Sequence, residues 1–301
     1  MKWKGVLECF LFLWPSIGMG AGLEGLEEEL RRLIAGKKAE VGIAVIIDGQ
    51  DTLVVNNDAR YPMMSVFKFH QALAVADVCG RKGISLDSLV RVRPQDLKRD
   101  TYSPLRDRYP DGGVSLPVGG LLEYTLLLSD NNACDILFDR FGGPEAVDKC
   151  VRGLGLRNFA IEVTEDEMHR DVSLCYRNWT TPLEAARLLE FFISGKAVRG
   201  DFRDFIEKTM ISCRTGEGRL PAPLAGTDAV IGHKTGSGDR NAAGRLIGTN
   251  DIGFVFLPDG RHYTIAVLVK DSEEDARATS RIIADVSEAV YERVCGAETD
   301  G

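Results

Sequence analysis

Ser65 and Lys68 stand three residues apart in Ser65-Val66-Phe67-Lys68. On a helix such a pair projects from one face, so a hydroxyl and an amine can touch. A serine hydroxyl is a poor nucleophile at neutral pH, and a neighbouring amine takes its proton only if burial or other cations lower the amine's pKa. Two further strings extend the set. Ser129-Asp130-Asn131 offers a second hydroxyl beside a carboxamide. Lys234-Thr235-Gly236, followed by Ser237, offers a second cation, two hydroxyls and a glycine that admits close approach by a ligand. Together they describe a serine acyl-transfer site with no histidine base. Taken singly each is ordinary: Ser65 would be a helix cap, Lys68 a snorkelling lysine, Ser129 to Asn131 a turn, and Lys234 to Gly236 an edge strand. Val66, Phe67, Phe69, Ala72, Leu73 and Val75 leave the Lys68 helix little surface to turn to water, and a buried lysine needs a role.

The elements that carry these residues lie far apart in the chain. After an acidic helix from Leu23 to Ala35, Val41 to Ile47 and Thr52 to Val55 flank Asp48-Gly49-Gln50-Asp51 and read as a hairpin. Strand signals then stop. Helices are expected at Ser65 to Cys79, Val118 to Leu128, Asn132 to Phe141, Pro144 to Leu154, Pro182 to Gly195 and Phe202 to Ser212. Strands return at Ala229 to Lys234, Ile252 to Leu257 and Tyr263 to Val269, and Glu273 to Val294 closes as a helix. The expected fold is α/β: an antiparallel sheet built from both chain ends with flanking helices, and an all-helical lobe inserted between them. Residues 22–60 and 213–301 would form the first lobe and 61–212 the second. The three motifs come from both parts, so they can meet only in the cleft at the junction.

At 301 residues, 44% hydrophobic and 27% charged, the chain has the composition of a globular enzyme. A net charge of −8 argues against a nucleic-acid partner, since phosphate binding needs a basic face. It leaves an anionic substrate open, because Lys68, Lys234 and Arg219 can make a local positive field. Lys2 and Lys4, an apolar run from Val6 to Trp14 and the small residues Gly18 to Ala21 read as a signal peptide, Met1 to about Ala21, too short for a membrane anchor. The mature protein is expected in the periplasm or secreted, as a monomer with no membrane anchor. Glu8 before Cys9 is wrong for a lipidation site. Six cysteines remain after cleavage, and their spacing does not reveal a pairing. The four histidines show no metal-binding spacing.

From about Glu24 to about Cys295 the chain resembles the class A serine β-lactamases, whose signature is the same trio of motifs. Tyr61-Pro62-Met63-Met64 looks like the family's approach to the nucleophile, and Asp100 to Pro104 like its substrate-flanking tyrosine loop. Thr164 to His169 resembles the Ω-loop that bears the deacylating glutamate. The family pattern Glu-x-x-Leu-Asn ends here in Met168-His169, which, with Tyr176-Arg177-Asn178-Trp179-Thr180, is closer to the PER- and CfxA-like branch.

The resemblance implies the two-lobed fold, a β-lactam as small-molecule substrate, antibiotic resistance, and no metal or cofactor. It implies Ser65 as nucleophile, Lys68 as proton shuttle, Ser129 as relay to the lactam nitrogen and Glu165 as base for the deacylating water, with Glu167 as the alternative assignment. Either Lys68 or Glu165 acting through water is the acylation base. Asn131 would bind the substrate's amide side chain, and Asp130 would hold the loop. Lys234, Thr235, Gly236, Ser237 and Arg219 would receive the substrate carboxylate, Tyr102 would form a wall, and His169 would stand where the family holds water. Backbone N–H groups at Ser65 and Ser237 suit an oxyanion hole. A D,D-peptidase or penicillin-binding protein shares all three motifs, and a non-enzymatic β-lactam sensor would acylate once. Glu165 favours the hydrolase over the first, and no sensor partner domain is visible for the second. A general serine esterase would need Gly-x-Ser-x-Gly and a histidine, and Ser65 has neither context.

Overall fold

A computed structural model describes residues 21–296, so the leader up to about Ala21 lies almost wholly outside the described residues. The first part of the chain forms α1 (Ala21–Ile34), β1 (Glu40–Ile47), β2 (Asp51–Val55), β3 (Tyr61–Pro62) and α2 (Phe67–Lys82). Then come β4 (Leu89–Val92), α3 (Pro104–Arg108), β5 (Val114–Pro117), α4 (Val118–Leu127), α5 (Asn131–Phe141) and α6 (Gly143–Gly153). They are followed by β6 (Phe159–Ala160), α7 (Glu165–Arg170), β7 (Trp179–Thr180), α8 (Pro182–Ile193) and α9 (Asp201–Ile211). The chain closes with β8 (Val230–Ser237), β9 (Leu246–Phe256), β10 (His262–Ser272) and α10 (Ala276–Gly296).

The main sheet is antiparallel, in the order β2-β1-β10-β9-β8, so the first two strands of the chain are closed by the last three. Its central strands are buried on both faces, and the period of two decides which residue meets which layer. Val41, Ile43 and Val45 of β1, with Ile265, Val267 and Val269 of β10, join Leu26 and Leu30 of α1 and Ile283, Val286 and Val290 of α10 in one apolar cluster. The alternate residues, Ala44, Ile46, Ile252, Phe254, Ala266 and Leu268, face the other way into a larger cluster with α2, α4, α5 and α8.

The stretch expected to be wholly helical contains two small sheets, β3-β7-β6 and β4-β5. Their strands are two to four residues long, too short to show a period of two in the sequence. The hairpin and the helices fall within a few residues of their expected bounds. β8 and β9 run longer than their β-rich cores, because pairing continues through Gly236 and Ser237 opposite Asn250 and Thr249.

That extension brings β8 against the residues before Ser65. A Cβ added at Gly236 would meet the Met63 carbonyl oxygen at 2.5 Å, which is backbone and cannot swing away. Gly236→Ala is therefore expected to destabilise the protein by about 1–3 kcal/mol. Gly80, late in α2, has open space around its Cβ position, and Gly80→Ala should stabilise by about 0.5–1 kcal/mol through helix propensity. Urea unfolding of the two variants should show shifts of opposite sign; shifts of the same sign would refute the packing argument.

Candidate active site

Ser65 lies in a 3₁₀ turn, Met64–Val66, which runs straight into α2 without a side-chain cap. Met64 before it has φ 49°, a left-handed conformation that costs a residue with a side chain about 1–3 kcal/mol. Asn250 of β9 pins this bend. Its fully buried amide donates to the carbonyls of Pro62 (2.7 Å) and Met63 (3.1 Å), while its Oδ1 accepts from the Val269 N–H (3.1 Å). The strained turn is thus held by the sheet.

One turn further along, Lys68 is fully buried, and every donor of its ammonium is used. Nζ donates to Asn131 Oδ1 at 2.6 Å and to the Ser129 carbonyl at 2.8 Å, and pairs with Glu165 Oε1 at 2.8 Å. The same Glu165 oxygen accepts from Ser65 Oγ at 3.4 Å. Burial disfavours the charged amine, but the Glu165 carboxylate outweighs it and holds the Lys68 pKa above its ordinary value. This reverses the expectation of a depressed amine: Lys68 rests as a cation, and the acceptor beside Ser65 is Glu165 Oε1.

Ser129 also has a left-handed backbone, φ 57°, between α4 and α5. The bend turns its carbonyl to Lys68 and its hydroxyl to Lys234, whose Nζ donates to Ser129 Oγ at 3.0 Å. Asp130 caps α5 through the Ala133 N–H (2.8 Å) and anchors Leu105 N–H (2.6 Å) and Ser103 Oγ (3.0 Å), so it faces away from the cleft. Asn131 Nδ2 donates to Thr101 Oγ1 at 2.8 Å.

Glu165 opens the six-residue helix α7. Glu167 closes a capping box with Thr164, accepting from its N–H at 2.8 Å and its hydroxyl at 3.0 Å, which turns that carboxylate away from Ser65. Asp135 of α5 accepts the Glu165 and Asp166 N–H groups at 2.9 and 2.8 Å and so seats the loop. Burial, and then the nearby Glu165 charge, push the Asp135 carboxyl up to about 7. His169 does not reach Ser65 or Glu165 by any hydrogen bond. It is exposed, and its Nε2 lies 3.5 Å from Asp100 on the facing loop.

On β8, Thr235 Oγ1 is 2.7 Å from Thr215 Oγ1. Arg219 is buried: Nη2 donates to Ser237 Oγ at 2.6 Å, and Nη1 to the carbonyls of Gly236 (3.1 Å) and Asn250 (2.9 Å). It meets the cleft through Ser237. Lys234 is as buried as Lys68 but has no carboxylate against it. Burial is the main reason its pKa falls, to about 8, with the Lys68 charge adding to the fall.

Ser65, Tyr102, Leu128, Ser129, Asn131, Thr215, Thr235 and Ser237 line one cleft of ≈ 270 Å³. A larger hollow of ≈ 800 Å³, lined by Asp77, Arg81 and Lys149, contains none of the motif residues, so chemistry and not volume marks the site. Sequence reasoning missed Asp135, Thr215 and Asn250, which act through backbone groups and neighbouring hydroxyls and belong to no motif.

A serine hydroxyl beside a carboxylate, with two buried lysines and a second hydroxyl between them, defines a serine hydrolase that works through an acyl-enzyme. The β-lactamase enzyme family matches residues 25–294. A β-lactamase of Bacteroides uniformis is 42% identical over 268 residues, 89% of this chain and 90% of that protein. The extended-spectrum β-lactamase PER-1 of Pseudomonas aeruginosa is 37% identical over 269 residues, 89% of this chain and 86% of its own. The crystal structure of the TLA-1 extended-spectrum β-lactamase superposes with TM-score 0.88 at 40% identity, covering 91% of this chain and 99% of that one. The chain belongs to the β-lactamase enzyme family, as a class A serine β-lactamase with that family's fold.

The two lysines should be separable by titration. With ¹⁵N-labelled lysine side chains, the Lys234 Nζ signal is expected to change with a midpoint of about 8. Lys68 should remain an ammonium beyond that point. A Lys234 midpoint as high as that of an exposed lysine, about 10.4, would contradict the burial argument.

Proposed function

We propose that this β-lactamase opens the lactam amide through an ester of Ser65 and hydrolyses that ester with water activated by Glu165. The observation that carries the reading is the one Glu165 oxygen that accepts from both Lys68 Nζ and Ser65 Oγ. Because Lys68 rests as a cation, Glu165 is the base available for acylation, directly or through water. Ser65 Oγ attacks the carbonyl and loses its proton to that base, and the backbone N–H groups of Ser65 and Ser237 receive the oxyanion. The C–N bond breaks, and the nitrogen takes a proton from Ser129, resupplied from Lys234. Before deacylation Glu165 passes the Ser65 proton on, through Lys68, to the depleted Ser129 and Lys234 pair; again unprotonated, it takes a proton from the attacking water, general-base help typically worth about two to four orders of magnitude. Ser65 leaves with a proton returned through Lys68.

Lys234, Thr235 and Ser237 hold the substrate carboxylate at Gly236, with Arg219 aiming the Ser237 hydroxyl. Asn131 keeps one N–H for the substrate's amide side chain. Tyr102, 60% exposed, forms the outer wall. His169 and Asp100 clasp the mouth between α7 and the tyrosine loop. The two-lobe boundaries, export after cleavage near Ala21, a monomeric state and turnover of bulky cephalosporins as well as penicillins belong to the same proposal. The last is supported by likeness to enzymes named for an extended spectrum. Resistance to β-lactams follows from the activity. A D,D-peptidase or a sensor would retain the ester, and Glu165 against Ser65 favours release.

Glu165→Gln should acylate slowly and then stall, so intact mass should show one opened lactam on Ser65 and a burst equal to the enzyme concentration. Glu167→Gln should turn over, at a stability cost of about 0.5–2 kcal/mol for the lost cap. If Glu167→Gln trapped the ester instead, the loop assignment would be wrong. If the parent trapped it, hydrolysis itself would be refuted.

Removing Arg219 should raise KM for carboxylate-bearing lactams more than for an uncharged ester analogue. Equal effects on both would remove the carboxylate subsite from the proposal.

A further inference from the structure

His233 and Thr235 are i,i+2 neighbours on one face of β8, and Asp251 of β9 is paired with Thr235 across the sheet. His233 Nδ1 bonds Asp251 Oδ1 at 2.9 Å. The ring is 2% exposed, and among the described residues its other nitrogen, Nε2, has no hydrogen-bond partner. The buried Cys213, which follows α9, lies close enough to feel the His233 charge. Cys213 Sγ in turn lies 3.2 Å from Thr215 Oγ1, and Thr215 Oγ1 lies 2.7 Å from Thr235 Oγ1. Cys213, Thr215 and Thr235 therefore form a polar row that reaches the wall of the cleft, and the bonded Asp251–His233 pair is buried on the same face of β8.

We propose that Cys213 is a positioning residue that decides, through Thr215, whether the Thr235 hydroxyl offers its proton to the substrate carboxylate, with the nearby His233–Asp251 pair setting the charge it feels. The inference rests on the reading of Thr235 as a carboxylate ligand. Each hydroxyl in the row has one hydrogen, so Thr215 can donate to Cys213 or to Thr235 but not to both. With Asp251 ionised, His233 donates from Nδ1 to Asp251. A Cys213 thiol can donate to Thr215, which frees the Thr215 hydrogen for Thr235 and leaves the Thr235 proton for the cleft. A Cys213 thiolate can only accept. It takes the Thr215 hydrogen, Thr215 accepts from Thr235, and the Thr235 proton points into the protein. The row is a switch of hydroxyl direction, operated by one proton on sulfur.

The surroundings put that proton in the physiological range. Burial pushes the Cys213 thiol up, but the nearby His233, then the Lys234 charge and Thr215, bring it down to about 7. His233 is disfavoured as a cation by burial, yet the Asp251 carboxylate raises it to about 10. The charged groups around the row are His233 and Lys234 on β8, Asp251 on β9 and the buried Arg219, which feels Asp251; Lys68 and Glu165 lie farther out and act on Lys234. Cys79, Cys150 and Cys175 are pushed up to about 11 by burial, so Cys213 differs from them in kind.

Coupling between a bound carboxylate and the thiol proton must be reciprocal, so a ligand that needs the thiol form raises the Cys213 pKa. The test uses the Glu165→Gln chain, which retains the opened lactam with its carboxylate in the cleft. Ultraviolet thiolate absorbance is followed from about pH 5 to about pH 9, with and without benzylpenicillin. The Glu165→Gln/Cys213→Ser chain is subtracted as a blank, or the Cys213→Ala equivalent if serine is not tolerated. The expected result is a midpoint near 7 in the free protein, rising by about one unit in the ester, a tenfold coupling. An unmoved midpoint in protein whose mass shows the ester would overturn the row and leave the acyl-enzyme reading intact. Absence of any Cys213 titration in that range would overturn it as well. Absence of the ester by mass would bring down the acyl-enzyme reading and this inference with it.

Discussion

The buried ammonium of Lys68 is the constraint on which the rest of the site is built. A charge with no exposure must be matched by ionic and polar partners, and here they come from two separate segments: Glu165 of α7, and the turn into α5, which supplies the Ser129 carbonyl and the Asn131 side chain. Breaking a buried pair by removing one partner costs about 3–5 kcal/mol in comparable cases, so neither segment can drift without a large penalty. One helix side chain thereby fixes the distances among residues that lie as many as 97 positions apart in the chain, from Lys68 to Glu165. It also places the Glu165 oxygen beside the Ser65 hydroxyl.

Lys68 and Lys234 show that burial alone does not set a pKa. Both are fully buried and 3 Å-scale contacts link both to Ser129, one through its carbonyl and one through its hydroxyl. A carboxylate against Lys68 raises it, whereas Lys234 faces hydroxyl and carbonyl groups and is lowered to about 8. The pair therefore combines a permanent cation with one able to exchange a proton near neutral pH. The left-handed residues Met64 and Ser129 sit on either side of this arrangement, and each is held there by contacts with the sheet or with a lysine.

Much of the scaffold was legible because its elements are long and periodic. The hairpin, α2, α8 and the three terminal strands follow apolar patterns that water and burial impose on any chain, and the closure of the sheet by both ends follows from their order. The paired dipeptides β3, β6 and β7 were not legible, since two residues carry no period; their pairing is imposed by the segments around them. Asp130 was readable as a loop-holding residue from its place before a helix, and the structure uses it as a cap. His169 was not readable: its type permits a hydrogen bond in several directions, and only the approach of Asp100 selects one.

By itself the sequence determined which groups are present and their order: a Ser-x-x-Lys on an apolar helix, a Ser-Asp-Asn turn, a Lys-Thr-Gly strand, an acidic loop and family membership. Those are properties of spacing within a few residues, where covalent geometry dictates who can touch. The charge state of Lys68, the placing of Glu165 against Ser65 while Glu167 turns back to Thr164, the indirect place of Arg219 and the Cys213–Thr215–Thr235 row were decided only by tertiary structure. Each depends on contacts between residues distant in the chain and on exclusion of water at the point of contact, and neither is encoded in local spacing.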